Sequence, residues 1–256
     1  MLLDAAMGTR LIAAGLDLVA DDPCLWNLSR PEVVLAIHGR DVVAGAEAVF
    51  TNTFGANGAW LARFGRQGSV REVNRRAVEL ARAAVGPDRF VIGSIGPTAA
   101  VDELTIMEQV DALLEAGVDA LALETFRLNQ ALDVLGYRSV NRLLDSREPI
   151  LVGLFDWPKP YSATINRLID AGATIVGANC FDDLTFAHRL IDAFEANPDL
   201  RYWLKPSTGP PDAPTVSPAD FASLAARLAR IKTGLLGGCC GTSDVHLRAI
   251  RDQWQH

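Results

Sequence analysis

Lysine and arginine never gather into a run in this chain. With a formal net charge of −7 it carries no basic footprint for a nucleic acid. Long apolar stretches are missing too. The N-terminus is apolar, yet Asp4, Arg10, Asp17, Asp21 and Asp22 interrupt it, which argues against a signal peptide and a membrane-spanning helix. Cysteine is scarce: four in 256 residues do not make a disulfide framework. The expected compartment is the cytoplasm, where thiols stay reduced and a cysteine cluster points to metal binding or catalysis. No linker or low-complexity stretch marks a second domain, so residues 1–256 are expected to form a single domain.

What is present is an alternation. Eight short apolar runs, rich in Val, Ile, Leu and Phe and followed by turn residues, read as buried strands. They are Leu2–Ala6, Ala48–Thr53, Phe90–Ile95, Ala120–Thr125, Ile150–Phe155, Ile175–Asn179, Tyr202–Lys205 and Gly234–Gly237. Helical patterns separate them, such as "PEVVLAIHGRDVVAGA", which opens on Pro31, and "REVNRRAVELARAA", with Val73, Ala77, Leu80, Ala81 and Ala84 on one face. "LNQALDVLGYRSVNRLL" is a further one. The tripeptides at 44–46, 116–118 and 171–173 each close a helix with a glycine suited to a left-handed cap. They are a trace of a repeated strand–helix unit. Eight such units at this length predict an α/β fold, a closed (β/α)8 TIM barrel, with an open doubly wound sheet as the alternative. The proline-rich stretch 207–218 reads as an ordered excursion after the seventh strand.

Barrel enzymes build their sites at the C-terminal ends of the strands, and the chemistry-bearing residues here cluster at those ends. "GANC" ends strand six and "GGCC" ends strand eight. A regular strand would point Cys239 and Cys240 to opposite sides, but the flanking glycines allow a bend that aims both sulfurs inward, toward Cys180. Three thiolates suit Zn2+, and catalytic zinc keeps three protein ligands with one position open. Three alternatives stand beside this: a vicinal disulfide, a glycine-rich loop that cradles phosphate, or independently buried cysteines. Cys24 lies away from the strand ends and reads as packing.

Glu124 and Asp4 are acids at strand tips, where burial is costly unless they are paired. Each reads either as an anchor for a substrate ammonium or as a structural acid. Thr51, Asn52 and Thr53 read either as donors to a ligand or as pins of the strand ends. His38 reads as a core or surface residue. His246 is a candidate for holding the Cys239–Cys240 loop. Phe54, Trp26 and Trp60 are candidates for closing over a ligand, whereas Trp157, Trp203 and Trp254 read as packing.

Taken together, "LLDAAMGT", "AGAEAVFTNTFGAN", "GSIGPT", "GVDALALETF", "GANC" and "GGCCGT" resemble the homocysteine S-methyltransferase family in order and spacing, from about residue 2 to residue 250. The resemblance implies a (β/α)8 barrel holding Zn2+ through Cys180, Cys239 and Cys240. It implies methyl transfer to the thiol of homocysteine, giving methionine, from S-methylmethionine, S-adenosylmethionine, betaine or methyltetrahydrofolate, the last through cobalamin. It places Asp4 and Glu124 near the amino-acid end of the substrate. Four departures stand out. Ala5 replaces a usual Gly, Asp41 a common Tyr, and Ser207 the Asn of a Pro-Asn-x-Gly pattern, while "GLF" (153–155) lacks the usual Ser before Phe155. Thr51, Asn52, Thr53 and Ser207 join Asp4 and Glu124 as expected substrate contacts. The substitutions leave open another small thiol or selenol as acceptor. By the resemblance, a chain of this length has no room for cobalamin or folate domains and lacks the long C-terminal extension of betaine-using relatives, so a stand-alone enzyme with a sulfonium donor is expected, with betaine or a separate methyl-carrier protein as the alternative source. A non-catalytic zinc module is the reading of another class, and it requires a fourth protein ligand such as His246.

Overall fold

The strands form because β-branched and aromatic residues recur in runs whose two faces are both buried. In the computed structural model, which describes residues 1–98, 102–137, 149–197, 199–209, 216–228 and 234–254, seven strands make one sheet. They are β1 (Ala48–Phe50), β2 (Phe90–Ile95), β3 (Ala120–Arg127), β4 (Ile150–Asp156), β5 (Ile175–Asn179), β6 (Arg201–Lys205) and β7 (Gly234–Leu236). Every neighbouring pair is parallel, and the strands lie in sequence order. The first segment joins the two edges: Leu2 bridges to Leu236 in β7 and Leu3 to Ala48 in β1.

Expectation and structure differ at that first segment. Leu2–Ala6 is not a full strand but two single bridges, and a helix starts at Met7. The reason is Asp4. Where a backbone carbonyl would continue the ladder to β1, the Asp4 carboxylate accepts the Phe50 N–H instead, at 2.9 Å. The Ala6 N–H turns away to the Thr242 hydroxyl, at 3.1 Å. The helix pattern that begins at Leu128 ends at Gly136, and residues 138–148 and 210–215 lie outside the described residues.

Alternate strand residues feed two cores, as the two-residue period requires. Val49, Val91, Leu121, Val152, Val176, Leu204 and Leu236 face the helices. Leu3, Phe50, Ile92, Ala122, Leu151, Ile175, Trp203 and Leu235 form a separate inner cluster. Trp203 is its largest member, and β4 and β5 make room for it with glycine. A Cβ on Gly177 would lie 2.0 Å from the Trp203 carbonyl oxygen, and one on Gly153 would lie 2.4 Å from the indole ring. The glycines that close the repeated units, Gly45, Gly117 and Gly172, all adopt positive φ, between 86° and 112°. No helix among the described residues is long and apolar enough to cross a membrane.

Helix Pro31–Ala44 carries two buried ionisable groups toward the sheet. Asp41 pairs with both terminal nitrogens of Arg10 at 2.6 Å, which ties this helix to helix Met7–Ala13. His38 is fully buried and neither ring nitrogen has a hydrogen-bond partner. Burial lowers its pKa to about 4; Asp41 opposes the shift, and Arg10 and Lys205 add to it. The unfolded chain protonates near the ordinary value of about 6.5, so it takes up the proton first as pH falls. The stability that the neutral ring confers is therefore complete above that value. It drains away as pH drops toward 4, by roughly 3 kcal/mol in all. The urea midpoint of the wild type should fall more steeply between pH 7 and pH 4.5 than that of His38→Leu. Parallel decline in both proteins would contradict this assignment.

Candidate metal centre and its cleft

Cys180 follows β5 directly and sits in the left-handed region, with φ of 63°. Its N–H donates to the Lys205 carbonyl at 3.1 Å, so the end of β6 fixes where the thiol points. Cys239 and Cys240 follow β7 in a loop held on several sides. Gly237 donates to Leu204, Gly238 to the Asp4 carbonyl, and Cys239 to Pro206, at 3.0, 2.9 and 2.7 Å. The Gly241 N–H donates to the Thr9 hydroxyl, and the Thr208 N–H to the Cys240 carbonyl. Gly241 has φ of 79°, and a Cβ there would meet the Thr208 hydroxyl at 1.9 Å, so the bend between the thiols and the last helix requires glycine.

The result is a cluster. The sulfurs of Cys180, Cys239 and Cys240 all lie within 4.8 Å of one another, and Cys180 and Cys240 are 3.6 Å apart. Zinc–sulfur bonds of about 2.3 Å in a tetrahedron put ligand sulfurs about 3.8 Å apart. The spacing and the softness of the donors both fit a divalent metal such as zinc. All four cysteines are free thiols. The thiols also shift one another. Hydrogen bonds from Cys180 and then Cys239 lower the pKa of Cys240, whereas Cys239 is raised well above the ordinary thiol value by Cys180 and Cys240. For Cys180 the Cys239 contact lowers the pKa, but Cys240 and burial outweigh it and it rises. One thiolate is thus already favoured without metal. The Ser207 hydroxyl, buried and without a fully formed hydrogen bond, lies close enough to lower both Cys180 and Cys240.

Next to the thiols opens a cleft of about 290 Å³ that Asp4, Glu124, Lys205, Cys180, Cys239 and Cys240 help to line. Thr51, Asn52 and Thr53 line it as well, but their side chains are largely spent on the protein. Thr51 and Thr53 hydroxyls bond to each other at 2.6 Å and to the Ser94 backbone, and Asn52 donates to Pro23 and Asn27. These three pin the strand ends. Asp4 is committed on both oxygens, to the Phe50 N–H and to the Lys205 ammonium. Glu124 accepts a hydrogen bond from the Ser94 hydroxyl, and burial raises its pKa against the pull of Lys205.

Other expected residues fall elsewhere. His246 accepts the Ser243 N–H on Nδ1 and packs edge-on to Phe221, so it caps the last helix. Among the described residues the thiol cluster contains the three cysteines alone, without His246. The glycine-loop N–H groups that would cradle a phosphate are mostly bonded within the protein. Cys24 is buried beside Asp22, and burial drives its thiol pKa far up. Trp26 is buried, Trp60 lines a neighbouring hollow, and Phe54, 40% exposed, covers Gly96 at the rim of the cleft.

Two site residues escaped the sequence reading. Lys205 is buried, 2.7 Å from Asp4, with its ammonium 3.9 Å from the centre of the Phe50 ring. Burial would lower its pKa, but Asp4 and Glu124 more than reverse this and hold it as an ammonium. Asn179 links β5 to the end of β3, donating to the Thr125 hydroxyl and accepting the Thr125 N–H at 2.9 and 2.8 Å. It thereby supports positive φ at Thr125, directly after Glu124. A lysine closing an apolar strand at the level of two strand-end acids was the available signal.

A family model described as homocysteine S-methyltransferase matches residues 1–254. Methionine synthase from Mycobacterium tuberculosis (strain ATCC 25618 / H37Rv) is 27% identical over 289 residues, covering 98% of this chain and 24% of that protein. Methionine synthase from Mycobacterium leprae (strain TN) is 28% identical over 290 residues, with the same coverage. The chain thus spans about a quarter of the length of these relatives. The metallated form of the homocysteine methyltransferase MmuM from Escherichia coli superposes with a TM-score of 0.80 at 23% identity, over 99% of this chain and 96% of that one. Its apo form gives 0.76 at 22% identity, over 99% and 95%.

The thiol cluster predicts that Cys180→Ser and Cys240→Ser each lose the metal. Elemental analysis of the anaerobically purified wild type should find roughly one divalent ion per chain, and the variants less than about a tenth of that. Full metal content in both variants would contradict the cluster as the binding site.

Proposed function

The chain belongs to the homocysteine S-methyltransferase family, and on that premise we propose that it moves a methyl group from a sulfonium donor, S-methylmethionine or S-adenosylmethionine, to the thiol of homocysteine, giving methionine. The observation that carries this is the convergence of three thiols and a buried carboxylate on one cleft. We read the sheet with its bridging first segment as a closed (β/α)8 barrel and residues 1–256 as a single domain, working in a reducing cytoplasm.

Cys180, Cys239 and Cys240 would hold Zn2+. Bound there, zinc supplies a means of keeping the acceptor sulfur deprotonated at neutral pH, where a free thiol of pKa near 8.5 is mostly protonated. The rest is the work of the chain. Glu124 offers a carboxylate to the acceptor ammonium across the cleft. Phe50, Ala5, Ala6 and Met7 give that cleft apolar walls that limit water. Three cysteinates make the surroundings anionic, which favours a cationic donor. The acceptor sulfur uses a lone pair to form a bond to the methyl carbon. The methyl–sulfur bond of the donor breaks, and its electron pair stays on the departing sulfur, now a neutral thioether. Holding both partners in line is worth several kcal/mol. The partners are two small molecules, with neither nucleic acid nor membrane, and a separate methyl-carrying protein is the alternative donor.

The test is methionine formation by zinc-loaded protein given homocysteine and, in turn, S-methylmethionine, S-adenosylmethionine, betaine and a methylcobalamin protein. Turnover should appear with a sulfonium. No methionine from any donor would refute the reading. Glu124→Ala should keep its metal and raise the acceptor KM about tenfold or more, the cost of losing a charge-assisted hydrogen bond.

A further inference from the structure

Asp4 and Glu124 both face the cleft, and both stand where the resemblance puts the amino-acid end of the acceptor. Their surroundings are not alike. One Asp4 oxygen accepts the Phe50 N–H at 2.9 Å and the other accepts from the Lys205 ammonium at 2.7 Å. The two side chains of that ion pair are only 2% and 5% exposed. The ammonium also rests on the Phe50 ring, which holds it from a second side. Nothing in this arrangement waits for a ligand. Glu124 has a single hydrogen bond among the described residues, from Ser94 to one carboxylate oxygen, and Lys205 acts on it through space without a direct ion pair.

We infer that Lys205 takes Asp4 out of acceptor binding, so that the acceptor ammonium is recognised by Glu124 alone. This rests on the methyl-transfer reading above and specifies how that site selects its acceptor. Lys205 becomes a specificity-determining residue: it supplies from the protein the cation that Asp4 would otherwise seek from the substrate. Charge balance points the same way. With all three groups ionised, Asp4, Lys205 and Glu124 sum to one negative charge, which one acceptor ammonium neutralises. A buried carboxylate left unpaired is expensive, so once Asp4 and Lys205 have paired, Glu124 is the acid that gains from the acceptor ammonium.

The experiment compares homocysteine with 4-mercaptobutanoate, the same chain without the amino group. Binding to the zinc-loaded full-length protein is read by calorimetry, and kcat/KM with the active donor is read in parallel. The quantity of interest is the preference ratio between the two thiols, which does not depend on how much of a variant folds. Glu124→Gln should collapse the ratio about tenfold or more, as expected for a lost hydrogen bond to a charged group. Asp4→Asn should leave it within about twofold, the scatter of an indirect effect. Asp4→Asn strands a buried lysine, so Asp4→Asn/Lys205→Met, which removes the pair as a unit, provides a second arm and should also keep the ratio. Lys205→Met alone releases Asp4 toward the cleft and should raise the ratio several-fold. The inference is overturned if Asp4→Asn or the double variant collapses the ratio as Glu124→Gln does, or if Lys205→Met leaves it unchanged. Failure of the wild type to bind homocysteine at all would overturn the underlying reading as well, which separates the two failures.

Discussion

The ion pair between Asp4 and Lys205 is the interaction on which the site hangs. Through Asp4 it reaches the Phe50 N–H in β1 and, by the Asp4 carbonyl, the Gly238 N–H that starts the cysteine loop. Through Lys205 it reaches the Cys180 N–H by way of the Lys205 carbonyl. Both edges of the sheet and both sources of thiol are thus tied to one buried contact. Removing one partner of such a pair typically costs 3–5 kcal/mol, because the other charge is left without compensation. The backbone atoms that aim Cys180 and the Cys239–Cys240 bend belong to the same two residues or their hydrogen-bond partners.

That geometry brings three free thiols together in one place. Their protons are shared unequally, with Cys240 favoured as thiolate and Cys239 strongly disfavoured. A divalent cation held by Cys180, Cys239 and Cys240 would relieve the crowding by taking all three as thiolates, with release of their protons. Helix Met7–Ala13 helps to seal the arrangement. Thr9 holds Gly241, the Ala6 N–H meets Thr242, and Arg10 clamps the helix to Asp41. Asp41, read in the sequence as a departure from the family pattern, is held here as one half of a two-pronged ion pair with Arg10.

Much of this was legible in the sequence, for definite physical reasons. Buried parallel strands leave unbroken apolar runs, so β2 and β5 were read to the residue. Helix-closing glycines at 45, 117 and 172 could be read because the left-handed cap excludes most other residues. The convergence of Cys180 with Cys239 and Cys240 followed from strand order and the glycine bend. The first strand was overread, since nothing in "LLDAA" says that an aspartate side chain will take over the ladder at Asp4. Lys205 was missed because a lysine at a strand end ordinarily reaches water, and its burial depends on acids 201 and 81 residues away in sequence. Thr51, Asn52 and Thr53 line the cleft, but which way their hydrogen bonds run is a matter of three-dimensional partners that sequence spacing does not encode.

In the proposed function the three cysteines form an incomplete metal site which the acceptor sulfur completes. X-ray absorption at the zinc edge counts sulfur neighbours directly, without requiring turnover or a methyl donor. Measured on the metal-loaded protein, it should find three sulfurs, matching the cluster of Cys180, Cys239 and Cys240. After addition of homocysteine it should find four. A count that starts at three and does not change when homocysteine is bound would contradict that role of the acceptor sulfur.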